Sequence, residues 1–220
     1  MRYLSFFFLI ISFSLSAQSQ LMNSNTSQRI VKGKVVNKET GKPEVVEIIF
    51  KDQDGKKFKI NSNSITGEYE QLLNAEQSYI VSFSRFDVYN EEFELKVEKA
   101  DEKFTPQVKN FEITILEAGK ALFSWDAFEP GSSTVGPKVN EMIDKLKTTL
   151  RFNRSITVEV QLNGNDSGNS NGVAKARLDA LNKILESDRR LKRKTKFVLG
   201  NGNANADFVV MITKVEDQLK

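Results

Sequence analysis

No cysteine and no histidine occur anywhere in the sequence. Their absence excludes thiol nucleophiles, disulfides, Ser-His triads and His- or Cys-ligated metal sites. Acid–base chemistry would fall to carboxylates, lysines, tyrosines and hydroxyls. Because histidine is the commonest catalytic acid–base side chain, a non-enzymatic protein is the expectation. Charge of one sign is also lacking: 32 basic residues against 29 acidic ones leave +3, too little for a global field that would gather nucleic acid or a membrane, so any electrostatic argument is local. Long apolar runs are scarce. Tyr3 to Leu15 follows the basic Met1-Arg2 tip, is too short to span a bilayer stably, and leads into Ser16-Ala17-Gln18. That order predicts a signal peptide over residues 1–17 with cleavage after Ala17; an uncleaved anchor is the alternative. The expected product is exported to the periplasm, and association with the outer membrane is compatible with it.

What is present is ordinary for a globular chain, 39% hydrophobic and 28% charged over 220 residues, enough for two small cores. Residues 18–29 are rich in Ser, Asn and Gln and predict a flexible lead. From Ile30 the period is that of strands. Ile30–Val36, Val45–Phe50, Lys57–Ile60, Ile65–Leu72, Ser78–Phe83 and Glu92–Val97 are separated by turn signals such as Asn37 to Pro43 and Asp52-Gln-Asp-Gly55. Asp54-Gly55 predicts a hairpin, since such turns need positive φ. Asp52 and Asp54 also resemble the start of a calcium loop, but Asn63 stands where an acidic bidentate ligand would be required. Short strands at this spacing predict an all-β sandwich over 30–98. The charged, Pro106-containing stretch 99–110 predicts a linker.

Beyond it Phe111–Leu116 alternates and Ala121–Trp125 stays β-like. Pro137 then opens a stripe of Val139, Met142, Ile143, Leu146 and Leu150, the spacing of one helix face. Ile156, Val158, Val160 and Leu162 alternate with polar residues as a half-buried strand. Ala174, Leu178, Leu181 and Leu185 mark a second helix, and Thr195–Leu199 and Asp207–Thr213 close the chain as strands. The expected class is α+β overall, an all-β sandwich followed by a βαβαβ α/β sandwich over 111–220.

Two family resemblances accompany these patterns. Val31-Lys-Gly-Lys-Val-Val36, Glu39-Thr-Gly-Lys-Pro43 and Thr66-Gly-Glu-Tyr69 ahead of Ser78-Tyr-Ile-Val81 resemble the carboxypeptidase-regulatory-like, or transthyretin-like, domain. That resemblance implies a non-catalytic spacer or docking module. Phe128-Glu-Pro-Gly-Ser-Ser-Thr-Val135, the Ile156–Leu162 strand, Asn165-Asp166, Val173 to Leu181, and Asn205 to Ile212 resemble the OmpA-like peptidoglycan-binding domain. It implies that Asp166 and Arg177 hold the diaminopimelate side chain of the peptidoglycan stem peptide. A carboxylate receives its ammonium and a guanidinium fork takes a carboxylate. Asn165 adjoins Asp166, and the amides of Gly172 and Val173 at the helix start would add anion donors.

The sequence departs from the family pattern. Its Gly-His is absent at Asn163-Gly164, Ala206-Asp207 replaces the paired arginines, Ala174 replaces the helix serine, and the loop before Arg177 is short. In the competing reading Asp166 is a turn or cap residue and Arg177 a solvated helix position. The expected function is a non-enzymatic peptidoglycan tether; the alternative is a structural or interaction subunit of an outer-membrane or secretion assembly whose second domain no longer binds wall. A carboxylate hydrolase would need Glu68 with Glu70 or Asp144 with Glu141, which no motif singles out, and no turnover is expected. No cofactor and no metal site is expected. Arg189-Arg-Leu-Lys-Arg-Lys-Thr-Lys196 places six cations in eight residues, ordinarily a solvated helix end, otherwise a contact for anionic glycan, lipopolysaccharide or an acidic partner.

Overall fold

The structure is a computed structural model and describes residues 27–103, 105–163, 170–200 and 206–217. The chain is α+β, with strands predominating. In the first half, β1 (Gln28–Asn37), β2 (Glu47–Lys51), β3 (Lys57–Asn61), β4 (Glu68–Asn74), β5 (Ser78–Ser84) and β6 (Glu92–Lys96) fall where the alternation predicts them. Strand β1 begins earlier than expected, taking in Gln28 and Arg29 from the predicted lead. The rest of that lead up to residue 26, and the predicted signal peptide, lie outside the described residues.

Strands β2, β3, β5 and β6 form one antiparallel sheet, ordered β3-β2-β5-β6. The β2–β3 hairpin turns at Asp52 to Lys56, where Gly55 adopts φ 84° and the Lys56 amide donates to Asp52 Oδ1. Asp52 therefore serves the turn. In the other sheet β4 pairs antiparallel with β1. The opposite side of β1 carries two short parallel strands, β7 (Gln107–Val108) and β8 (Phe111–Ile113).

These last strands correct two expectations. The end of the predicted linker 99–110 is integral to the fold. Lys109 N–H donates to Lys32 O, and Lys109 O accepts the Tyr69 hydroxyl at 2.6 Å. It also lies so near Gly33 that a Cβ there would sit 1.8 Å from it, a clash only glycine avoids. Phe111–Ile113, expected to open the second domain, instead completes the first. Phe111 is 1% exposed, with its ring 5.4–5.8 Å from those of Tyr69, Phe83 and Phe93. Burial of such a ring stabilises by roughly 1.5–3 kcal/mol, and favourable ring pairs add about 0.5–1.5 kcal/mol each. The alternation of Phe111 and Ile113 correctly marks a strand. Its partner, β1, is more than 70 residues away in sequence, so the pattern could not say which core it fills.

The crossing lies at residues 113–120. The Val88–Ile115 bridge, Tyr89 N–H to Thr114 O and Leu116 N–H to Asp87 O hold it to the first half. Gly119 N–H to Ile212 O and Ile212 N–H to Lys120 O hold it to the second. Asn153, 4% exposed, accepts the Asn90 amide at 2.7 Å while its own amide group donates to Thr149 O and closes the preceding helix. Lys120 pairs with Glu39 across the junction at 2.6 Å.

The second half runs β9 (Ala121–Trp125), α1 (Pro137–Phe152), β10 (Ile156–Leu162), α2 (Ser170–Ser187), α3 (Arg189–Lys194), β11 (Thr195–Leu199) and β12 (Phe208–Val215). Its sheet is ordered β11-β10-β12-β9, with β10 and β11 parallel and the other neighbours antiparallel. The two closing strands stand where the sequence puts them, and the short helix α3 between α2 and β11 is the element added to the expected order. Pro137 starts α1, and Val139, Met142, Ile143, Leu146 and Leu150 are all buried. They share a core with Val158, Val160, Leu181, Leu185, Phe197, Phe208 and Val210. That core fixes the face of α2 turned to the sheet, and with it the placement of Arg177. Among the described residues no helix is long and apolar enough to cross a membrane.

Candidate functional site

Arg177 lies in the second turn of α2, on the buried face, and is 1% exposed. A guanidinium so deep needs its donors matched, because an unpaired buried charge is costly. The folded chain supplies the partners. Arg177 Nε donates to Ser132 O at 2.8 Å, Nη2 to Glu129 O at 3.2 Å, and Nη1 to Asp207 Oδ1 at 3.4 Å. Its Cζ lies 4.5 Å from the Phe128 ring centroid, a cation–π contact in a dry setting. The reading of Arg177 as a solvated helix position is therefore incorrect. Ala174 and Leu181, spaced around it, bury the same stripe of α2 and carry it inward.

Asp207 is the second half of this arrangement. Its Oδ2 accepts the amides of Ala127 and Phe128 at 3.1 and 2.9 Å, and its own amide donates to Asp126 Oδ1 at 3.1 Å. Its carbonyl accepts Asn163 N–H at 2.8 Å, and the Asn163 side chain donates to Ala206 O at 3.2 Å. Asn163 is 3% exposed and ties β10 to the start of β12. The Phe128 and Phe208 rings lie 5.4 Å apart under this layer. Gly131, at φ 68°, turns the segment so that the carbonyls of Glu129 and Ser132 both point at the guanidinium.

The segment from Phe128, the helix bearing Arg177 and the start of β12 thus converge on one point, although they are read separately in the sequence. Of the expected ligand-holding residues, Gly172 and Val173 lie in the first turn of α2, Gly172 exposed and Val173 half-buried. Asn165 and Asp166 lie outside the described residues, so the pairing of Asp166 with Arg177 is not among the contacts above. Nothing in the residues around Asp207 marks it in the sequence as a counter-ion. Its pairing with the helix arginine depends on tertiary closure.

The basic run forms a separate helix rather than the end of α2. Asp188 caps α3, accepting from the amides of Arg190 and Leu191 at 3.1 and 3.0 Å, and pairs with Lys147 at 3.5 Å. The Leu191 amide, helped by the Lys147 ammonium, holds the Asp188 carboxyl below its ordinary range. Of the carboxylates considered for hydrolysis, Glu68 and Glu70 line one open surface hollow of about 650 Å³ together with Lys32 and Lys34. Glu68 is lowered by its bond to Lys34, pairs with it at 3.2 Å, and is a surface ion pair. Among the described residues no group of three or more acidic side chains is placed to hold a metal ion.

No family model matches the sequence, and no curated protein matches it. Among solved structures, a Bacteroides uniformis protein provisionally assigned to carbohydrate binding aligns at 20% identity with a TM-score of 0.29. The alignment covers 39% of this chain and 40% of that one, a likeness too slight to carry an argument about either fold or ligand.

Proposed function

We propose that the protein is a non-enzymatic, exported component of the cell envelope: a β-sandwich of the carboxypeptidase-regulatory-like kind joined to an OmpA-like α/β sandwich. It acts as a structural or interaction subunit, with periplasmic location and outer-membrane proteins as its partners. The observation that carries this reading is the state of Arg177. In the resemblance that position takes a ligand carboxylate. Here the guanidinium is 1% exposed and is matched by Asp207, two backbone carbonyls and Phe128. A diaminopimelate carboxylate would have to displace Asp207, which would also strand the amides of Ala127 and Phe128. Such displacement opposes binding by the penalty of unmatched buried donors, about 1–3 kcal/mol each.

The tether to peptidoglycan is the second reading. It is favoured by the meeting of three family-like segments at Arg177 beside the opening of α2, where Gly172 and Val173 stand. In it the stem peptide takes Asp207's place and Asp166 receives the ammonium. Co-sedimentation of the chain from Gln18 to Lys220 with purified sacculi separates the two. The subunit reading expects no retention above a non-binding control. Retention that is lost on Asp166→Ala would replace it with the tether.

A further inference from the structure

The cations of the basic run do not all do the same thing once folded. Lys194 donates to Arg154 O at 2.9 Å and is used structurally. Lys196 lies on β11 between the buried Thr195 and Phe197, so it points to the opposite side of the sheet from their side chains, in register with Glu159 of β10. The remaining four belong to α3, anchored by Leu191 at 2% exposure. At about 100° per residue, Arg189 and Arg193 stand opposite Leu191, and Arg190 and Lys192 flank them. All four are exposed.

This ridge continues onto α1. Arg190 shares a surface hollow of about 210 Å³ with Lys147, Thr148 and Arg151. The exposed Arg151 guanidinium sits 4.6 Å from the ring centroid of Phe152, which is itself 52% exposed at the end of α1. Across residues 186–196 the only acids are Glu186 and Asp188, and Asp188 is occupied by its cap and by Lys147. A chain with a net charge of only +3 therefore concentrates cations on one edge, next to an exposed aromatic ring.

We propose that this edge, the outward ridge of α3 with Arg151 and Phe152, is a docking surface for the phosphate headgroups of an anionic lipid bilayer. Exposed cations gain by approaching a negatively charged membrane, each contributing about 1 kcal/mol near the surface. An aromatic ring beside them suits the interfacial layer, where apolar and polar contacts coexist. The seat does not involve Arg177, so it stands or falls independently of the wall-binding question.

The test is vesicle co-sedimentation of the chain from Gln18 to Lys220, which leaves out the apolar stretch that could itself anchor to lipid. Vesicles of phosphatidylcholine with roughly a third phosphatidylglycerol should bind it, and pure phosphatidylcholine should not. Binding should fall steeply as salt rises from ~0.1 to ~1 M, where the screening length shrinks to about 3 Å. Arg189→Gln with Arg193→Gln should weaken it about 25-fold, roughly fivefold per cation, with an unchanged melting midpoint. Equal binding to both vesicle types, or no loss in the double variant, overturns the proposal. So does binding to a soluble sulfated polysaccharide without binding to the anionic vesicles.

Discussion

Replacing Asp207 with alanine removes three acceptor functions in one step: the counter-charge of Arg177 and the oxygen that receives the amides of Ala127 and Phe128. The Arg177 side chain is 2% exposed and that of Asp207 13%, so solvent replaces little of what is lost. Breaking a buried ion pair by deleting one partner costs about 3–5 kcal/mol. For a chain whose two halves melt together each kcal/mol lowers the melting midpoint by about 2–4 °C, which gives a drop of at least about 6 °C. Asp207→Asn keeps an acceptor oxygen and loses only the charge, and should cost about 1–3 kcal/mol. Trp125, the only tryptophan in the sequence, pairs with Phe208 across β9 and β12, next to the perturbed position. Its fluorescence therefore follows unfolding of the second half. Adding Arg177→Met to Asp207→Ala should give a loss smaller than the sum of the single losses by more than about 1 kcal/mol, because the second change removes the charge stranded by the first. A midpoint shift under about 2 °C for Asp207→Ala, or strict additivity, would refute the buried tie.

Two further outcomes follow from the other contacts. Burial pushes the Tyr69 phenol well above its ordinary range, and burial likewise raises Tyr79, partly offset by its bond with the Asn74 amide. A raised folded value means the neutral phenol is favoured, so this contribution is intact below about pH 10, where unfolded tyrosine ionises, and is lost above it. Alkaline titration should show phenolate absorbance from these residues rising only together with loss of the first half's strand signal; ionisation near pH 10 with that signal intact would sink the idea. Asn153→Ala should cost about 1–3 kcal/mol by leaving the Asn90 amide without its acceptor, and should split a shared melting transition into two in calorimetry. A single, unshifted transition would mean that the junction is held elsewhere.

Much of the secondary structure was legible because its periods are local. The strands of the first half and both long helices stand where alternation or three- and four-residue spacing puts them. What was not legible depends on distant partners. Phe111 and Ile113 read as a strand, but only pairing with β1 decides that they close the first core. Arg177 reads in the sequence as a ligand-holding helix residue through a family resemblance, whereas its depth comes from the Phe128–Ser132 segment folded over it. Asp207 looked like a missing arginine because a counter-ion is recognisable only once β12 lies beside β9. The basic run reads as one block of charge. Folding divides it by direction into an outward ridge, a tie to Arg154 and a residue facing Glu159.

The crossing segment has a mechanical implication. Residues 113–120 exchange main-chain hydrogen bonds with Asp87 and Tyr89 on one side and with Ile212 on the other, leaving no slack between the two halves. A chain joined in this way resembles a bracket more than a tether: main-chain bonds on both sides of the crossing oppose a hinge there. If the halves grip different partners, the spacing between those partners is set by the protein and not by the length of a loose string.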